Sequence, residues 1–221
     1  MIDCIYIMHY SKLIERRNHL EKNIKEVGLD KYPIVWVDQF DREVLTEEMV
    51  NKNYIFNSNF LRPFPLTIAE IANGIAHNYI IENVSKSNNC CLILEDDIVL
   101  KKNFTEYLEK CITMLPDNWD ILNVGGNYYN DKFINDPSPV TTDVSILKHH
   151  RAAMTCSYLL RNTCAQKIMR VESFRPFFLP IDTTLVNICN YINSNVYWCV
   201  PWIAYEGSKT PLFQTSLDRG F

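Results

Sequence analysis

Residues 90–100 read Cys90-Cys91-Leu92-Ile93-Leu94-Glu95-Asp96-Asp97-Ile98-Val99-Leu100, an apolar run broken by three adjacent carboxylates. The run is that of a buried strand. In a strand alternate side chains share a face, so extension carried to Asp97 would put Glu95 and Asp97 on one side and Asp96 on the other. The C-terminal ends of strands are where open α/β sheets place ligands. Like charges this close raise one another's pKa unless a cation intervenes. No Lys or Arg lies beside them before Lys101. A hard divalent ion, Mg2+ or Mn2+, held by one or two carboxylates and by substrate phosphates, is the expected partner. The plainer alternative is a solvated acidic turn, and the core residues Ile98-Val99-Leu100 on the far side weigh against it.

Working outward, Asp3 to His9 forms a short β-type run. Leu13, Leu20, Ile24 and Val27 then recur at helical spacing up to a stop at Gly28. Tyr32 to Val37 is a second strand ending at Asp38. Strand, helix, strand is the opening of an α/β domain with parallel pairing. Thr67-Ile68-Ala69-Glu70 is a capping box that starts a helix running to Val84, just before the acidic strand. Later strands are expected over 119–124, 156–160 and 196–200, with helices after Asn103, Asn162 and Asp182. Residues Asn127 to Asp143 show no periodicity and read as a long loop, a candidate lid.

The bulk properties set limits. The 221 residues suit one domain, 1–221, with 47% hydrophobic and 22% charged residues. A net charge of −4 argues against nucleic acid as a partner. No apolar run approaches the roughly 20 residues of a membrane span, and the N-terminal run has no basic segment before it. The eight cysteines form no CxxC pair and are expected to be reduced core residues, so the protein is expected to be cytoplasmic.

Further polar residues are candidates beside ordinary structural roles. Glu70, Asn73 and His77 share a helix face and could wall a pocket, or be a cap and a surface histidine. Arg16 and Arg17 follow the first strand, where a cation could meet a diphosphate or a base. Asp38 could bond a ribose or begin a turn. Asp182 has the position of an N-cap and is also a candidate catalytic base. Tyr128, Tyr129, Trp198 and Trp202 could stack on a ligand or belong to the core. The pair His149-His150 has metal binding only as a minor option.

In order and spacing the chain resembles glycosyltransferase family 25. The resemblance rests on Arg17 after the opening strand, Val37-Asp38, Glu70-Ile71 with His77, and Leu92 to Asp97. It continues through Thr155 to Leu160, Pro180-Ile181-Asp182, and Gln214 with Ser216. It implies a GT-A type α/β fold with a mostly parallel central sheet flanked by helices. It also implies inverting, metal-dependent transfer of galactose, or else glucose, from a UDP-sugar donor to a glycan or hydroxylated protein acceptor. Carried over, Asp97 and Glu95 are metal ligands for Mn2+ or Mg2+. Arg17, Asp38, Glu70, His77, Glu95 and Asp96 bind the nucleotide sugar, and Asp182 is the base. The chain departs from the family pattern at Ala69, Ala72 and Ala76, at Met8-His9 and at Gln39. A non-catalytic domain that binds a sugar nucleotide or glycan on the same fold is the alternative. A phosphatase with a carboxylate nucleophile fits less well, because its acidic motif belongs near the first strand.

Overall fold

A computed structural model describes residues 2–56, 64–126, 143–149 and 155–216. Its first half alternates strand and helix: β1 (Ile2–Met8), α1 (Ile14–Glu26), β2 (Ile34–Val37), α2 (Glu47–Asn53), α3 (Ile68–Val84) and β3 (Cys90–Glu95). Then come β4 (Ile98–Leu100), α4 (Phe104–Met114), β5 (Ile121–Asn123), β6 (Ser145–His149), β7 (Ser157–Arg161) and α5 (Asn162–Met169). The series closes with α6 (Ile181–Tyr191), β8 (Val196–Val200) and β9 (Ala204–Glu206).

Seven strands form one sheet in the order β2-β1-β3-β7-β5-β8-β6, and β4 pairs with β9 in a second, two-stranded sheet. Strands β2, β1, β3, β5 and β8 run in one direction, and β7 and β6 run against them. The α/β, mainly parallel architecture expected from the sequence is therefore present. The apolar run of β3 has a plain cause. Leu92 and Leu94 enter one core layer with Leu20, Phe104 and Leu108, while Cys91 and Ile93 enter the other with Ile80, Ile81 and Ile188. A strand covered on both faces has no polar side to show.

The helix boundaries follow local chemistry. Gly28 takes a φ of +71° just past α1, a left-handed stop that costs glycine nothing. At α3, Thr67 Oγ1 accepts from Glu70 N at 3.2 Å, and Glu70 Oε2 accepts from Thr67 N at 2.9 Å. The capping box is as expected.

The structure corrects several expectations. Extension stops at Glu95, and Asp96-Asp97 form a turn from which β4 leaves for the small sheet. Strand alternation therefore does not decide where these two side chains point. Asp182 is not an N-cap: Pro180 holds that position and Asp182 lies in the first turn of α6. Likewise α5 is preceded by Arg161 as N-cap, and Asn162 Nδ2 donates instead to Ser87 O at 2.9 Å. The edge strand β6 was not expected at all. Trp198 and Trp202 are buried core, and His149 stacks on Trp198 with ring centroids 3.7 Å apart. Nearly all of the expected loop 127–143, with Tyr128, Tyr129 and the lid role, lies outside the described residues, as does His150.

Candidate active site

The C-terminal ends of β1, β2 and β3 open together on a cleft of about 920 Å³, its mouth included. Met8 to Tyr10 and Val37 with Phe40 form its strand-end floor, and Ala69, Ala72, Asn73 and Ala76 of α3 form one wall. Side chains this small leave room beside the acidic turn, which Glu95, Asp96 and Asp97 all bring to the lining.

The three acids have different surroundings. Asp96 is fully engaged. Its Oδ1 accepts from Arg16 Nη1 at 2.8 Å, and its Oδ2 accepts from His9 Nδ1 at 2.9 Å and from Tyr10 N at 3.1 Å. Arg16 is only 3% exposed and also donates to Gln214 O. A buried cation thus offsets part of the acidic repulsion, and it is Arg16, not Arg17. Asp97, 6% exposed, has Arg16 Nη1 3.9 Å from its Oδ2. Its Oδ1 is buried without a hydrogen-bond partner among the described residues. Burial holds the Asp97 carboxyl above its usual range, against the pull of a Ser208 hydrogen bond and the Arg16 charge.

Glu95 is pushed well above the ordinary carboxylate range, first by burial and then by the charges of Asp97 and Asp182. Thr155 links two of these acids: its Oγ1 lies 2.6 Å from Asp182 Oδ1 and 3.3 Å from Glu95 Oε1. One hydroxyl hydrogen cannot serve both. The shorter contact takes it, and a protonated Glu95 can donate its own to the threonine oxygen. Asp182 Oδ1 also accepts from Thr155 N at 2.9 Å. Behind the wall, His77 is wholly buried, shares a 3.1 Å hydrogen bond with Tyr158 Oη, and places Nε2 3.6 Å from Glu95 Oε1. Burial lowers its pKa to about 4, so its ring is neutral near pH 7.

The sequence candidates therefore separate into two groups. Arg16, Asn73, Glu95, Asp96 and Asp97 line the cleft; Arg17, Asp38, Glu70, His77 and Asp182 do not. Arg17 lies over the Trp36 ring at 4.5 Å and pairs with Asp38 at 3.5 Å. Glu70 is spent on the α3 cap, and Asp182 reaches the acidic cluster through Thr155. Residues the sequence reading passed over do line the cleft: His9, Arg42, Glu206, Ser208 and Lys209. Burial and the charges of Glu95 and Asp97 push Glu206 up to about 7. Its arrival follows from the antiparallel pairing Ile98↔Glu206, for which no local sequence signal exists. Arg16 did carry a signal, since it shares the i, i+4, i+8 stripe of Leu20 and Ile24, whereas Arg17 pairs with Glu21 on the exposed side.

The donor set fits a hard divalent cation. It consists of carboxylate oxygens, crowded enough to raise one another's pKa, with one buried oxygen left unbonded. Among the described residues no three His, Cys, Asp or Glu side chains gather as a ready-made metal cluster. An Mg2+-like ion held by one or two carboxylates plus phosphates and water requires no such trio.

A sequence profile described as glycosyltransferase family 25 (LPS biosynthesis protein) matches residues 2–185. A "Glycosyltransferase 25 family member" from Aedes aegypti is 24% identical over 188 residues, covering 80% of this chain and 29% of that protein. A "Procollagen lysyl hydroxylase and glycosyltransferase" from Acanthamoeba polyphaga mimivirus is 27% identical over 130 residues, 53% of this chain and 14% of that protein. The matched regions thus span less than a third of either relative. Among solved structures, a glycosyltransferase involved in glycosylation of the major capsid of PBCV-1 aligns with a TM-score of 0.39 at 14% identity, over 75% of this chain and 62% of that one. Mouse xyloside xylosyltransferase 1, apo form, aligns with a TM-score of 0.40 at 10% identity, over 88% and 83%. No helix among the described residues is long and apolar enough to cross a membrane.

Proposed function

The chain belongs to glycosyltransferase family 25, and from that premise we propose that its cleft takes a UDP-sugar and that it transfers the hexose, galactose before glucose, to an acceptor hydroxyl with inversion. The acceptor proposed is a glycan or a hydroxylated protein, the latter in keeping with the name of the mimiviral relative. The observation that carries the reading is the buried, unbonded Oδ1 of Asp97 at the cleft, beside acids that repel it. An oxygen so placed is costly unless a cation arrives with the ligand.

In this reading Asp97 and Glu95 hold Mn2+ or Mg2+. When bound, the ion stabilises negative charge on the departing UDP as a Lewis acid. The remaining work falls to the chain. Arg16 and His9 lock Asp96, which fixes the turn that aims Asp97 into the cleft. Asn73 and Thr155 both hydrogen-bond Glu95. His77, neutral and buried, backs the same carboxylate without adding charge. Asp182, one threonine from Glu95, is assigned the acceptor's proton, and Arg17 with Asp38 the nucleoside end. Glu70 acts through α3, whose first turn it caps.

The test is UDP release from UDP-galactose and UDP-glucose, with and without Mn2+, in wild type and Asp97→Asn. Release that needs the metal and vanishes in the variant is expected. Donor binding with no turnover under any pairing would favour a non-catalytic binding domain.

A further inference from the structure

The stretch Glu206 to Ser216 lies beyond the residues 2–185 that match the family profile. It nevertheless supplies a wall of the cleft through Glu206, Ser208, Lys209, Thr215 and Ser216. Its path is pinned at two places. At the first, Gly207 N donates to Asp97 O at 2.7 Å. A Cβ at position 207 would stand 2.6 Å from the Phe213 ring and 2.9 Å from Asp97 O, so the approach requires glycine. At the second, Arg16 donates to Gln214 O and lies over the Phe213 ring at 5.5 Å. Between them Gly207 O accepts from Thr210 N at 3.0 Å and from Phe213 N at 3.3 Å. Lys209 projects from this braced turn, exposed at the cleft mouth.

The charges of the lining give that lysine a task. Five carboxyl groups (Asp41, Glu95, Asp96, Asp97, Glu206) outnumber three cations (Arg16, Arg42, Lys209) in the lining. Arg16 is committed to Asp96 at 2.8 Å. Arg42 lies over the Tyr10 ring at 4.5 Å and 3.8 Å from Glu43. Lys209 makes no ion pair among the described residues, and its charge pulls the Glu206 pKa down against the neighbouring acids.

We infer that Lys209 is the cation that meets the donor's diphosphate in the cleft, beside the acidic turn; the inference rests on the sugar-nucleotide reading above. A compact ammonium on a flexible stem suits phosphate oxygens as a point charge. Because its turn is anchored at both ends, little ordering is left to be done when the ligand binds.

Calorimetric titration of UDP in the presence of Mn2+, and of Mn2+ alone, into wild type, Lys209→Met and Lys209→Arg tests this. Lys209→Met is expected to weaken UDP about tenfold, to leave the affinity for Mn2+ alone unchanged or tighter, and to be largely rescued by Lys209→Arg. Equal UDP affinity in Lys209→Met, or a matching loss for Mn2+ alone that signals a collapsed wall, would overturn the inference. A wild type that binds no UDP in the presence of Mn2+ would remove the donor reading itself, and this inference with it.

Discussion

Asp97 and Asp120 are both buried aspartates beside short apolar strands. Asp120, 2% exposed, precedes β5 and is satisfied: its Oδ1 lies 3.2 Å from Lys167 Nζ, and its Oδ2 accepts from Asn195 N at 2.8 Å. Asp97 follows β3, keeps one oxygen unbonded and has other acids for neighbours. The first belongs to the scaffold, pinning α5 and the start of β8 to the sheet. The second is left incomplete by the described residues. A buried charge is therefore weak evidence of function until its partners are counted.

Substitution should separate the two most sharply in activity. Asp97→Asn is expected to abolish metal-dependent UDP release with the fold intact by circular dichroism. Asp120→Asn is expected to keep turnover per folded molecule while losing about 1–3 kcal/mol of stability in urea unfolding. Comparable turnover losses in both would erase the distinction. Next in size, Arg16→Met should cost about 3–5 kcal/mol, because it strands a buried Asp96. A near-neutral urea midpoint for Arg16→Met would show that Asp96 does not depend on it.

The acids also leave a signature in pH. Burial and its acidic neighbours push Glu206 up to about 7 when folded, against an ordinary value of 4.5, so the native state binds more protons than the unfolded chain between those values. By linkage, this group's contribution to stability falls as pH rises through that window, the reverse of a salt-bridged carboxylate. Glu206→Gln should therefore flatten the pH dependence of the ligand-free melting temperature between pH 4.5 and 7. An unchanged slope would mean that Glu206 is not part of the repelling cluster. Smallest of all, Asp182→Asn should lower kcat more than it raises the donor KM if it serves the acceptor. A pure KM effect would instead make it a brace for Thr155.

Much of the scaffold could be read from the chain itself. The alternating strand and helix of the first half, the capping box at Thr67 and the doubly buried strand at residues 90–95 are local patterns with local causes. The site was legible only in part. The acidic triplet announced itself, but its geometry depended on a turn after Glu95 that strand alternation does not foresee. Arg16 was encoded in the buried stripe of α1. Glu206, Ser208 and Lys209 reach the cleft only because β9 pairs with β4, a long-range contact that no window of sequence contains. The strand β6 lies just past the expected loop 127–143, where no element was expected, because its residues are mostly exposed and show no clean alternation.

The central claim is that the acidic turn is completed by a divalent ion together with a nucleotide diphosphate. Melting temperature in the presence of both Mn2+ and UDP, compared between wild type and Asp97→Asn, tests it most directly, since a ligand that binds only the native state raises the transition. A rise of several degrees in wild type, absent from the variant, is the predicted result. An equal rise in both proteins, or none in wild type, would contradict it.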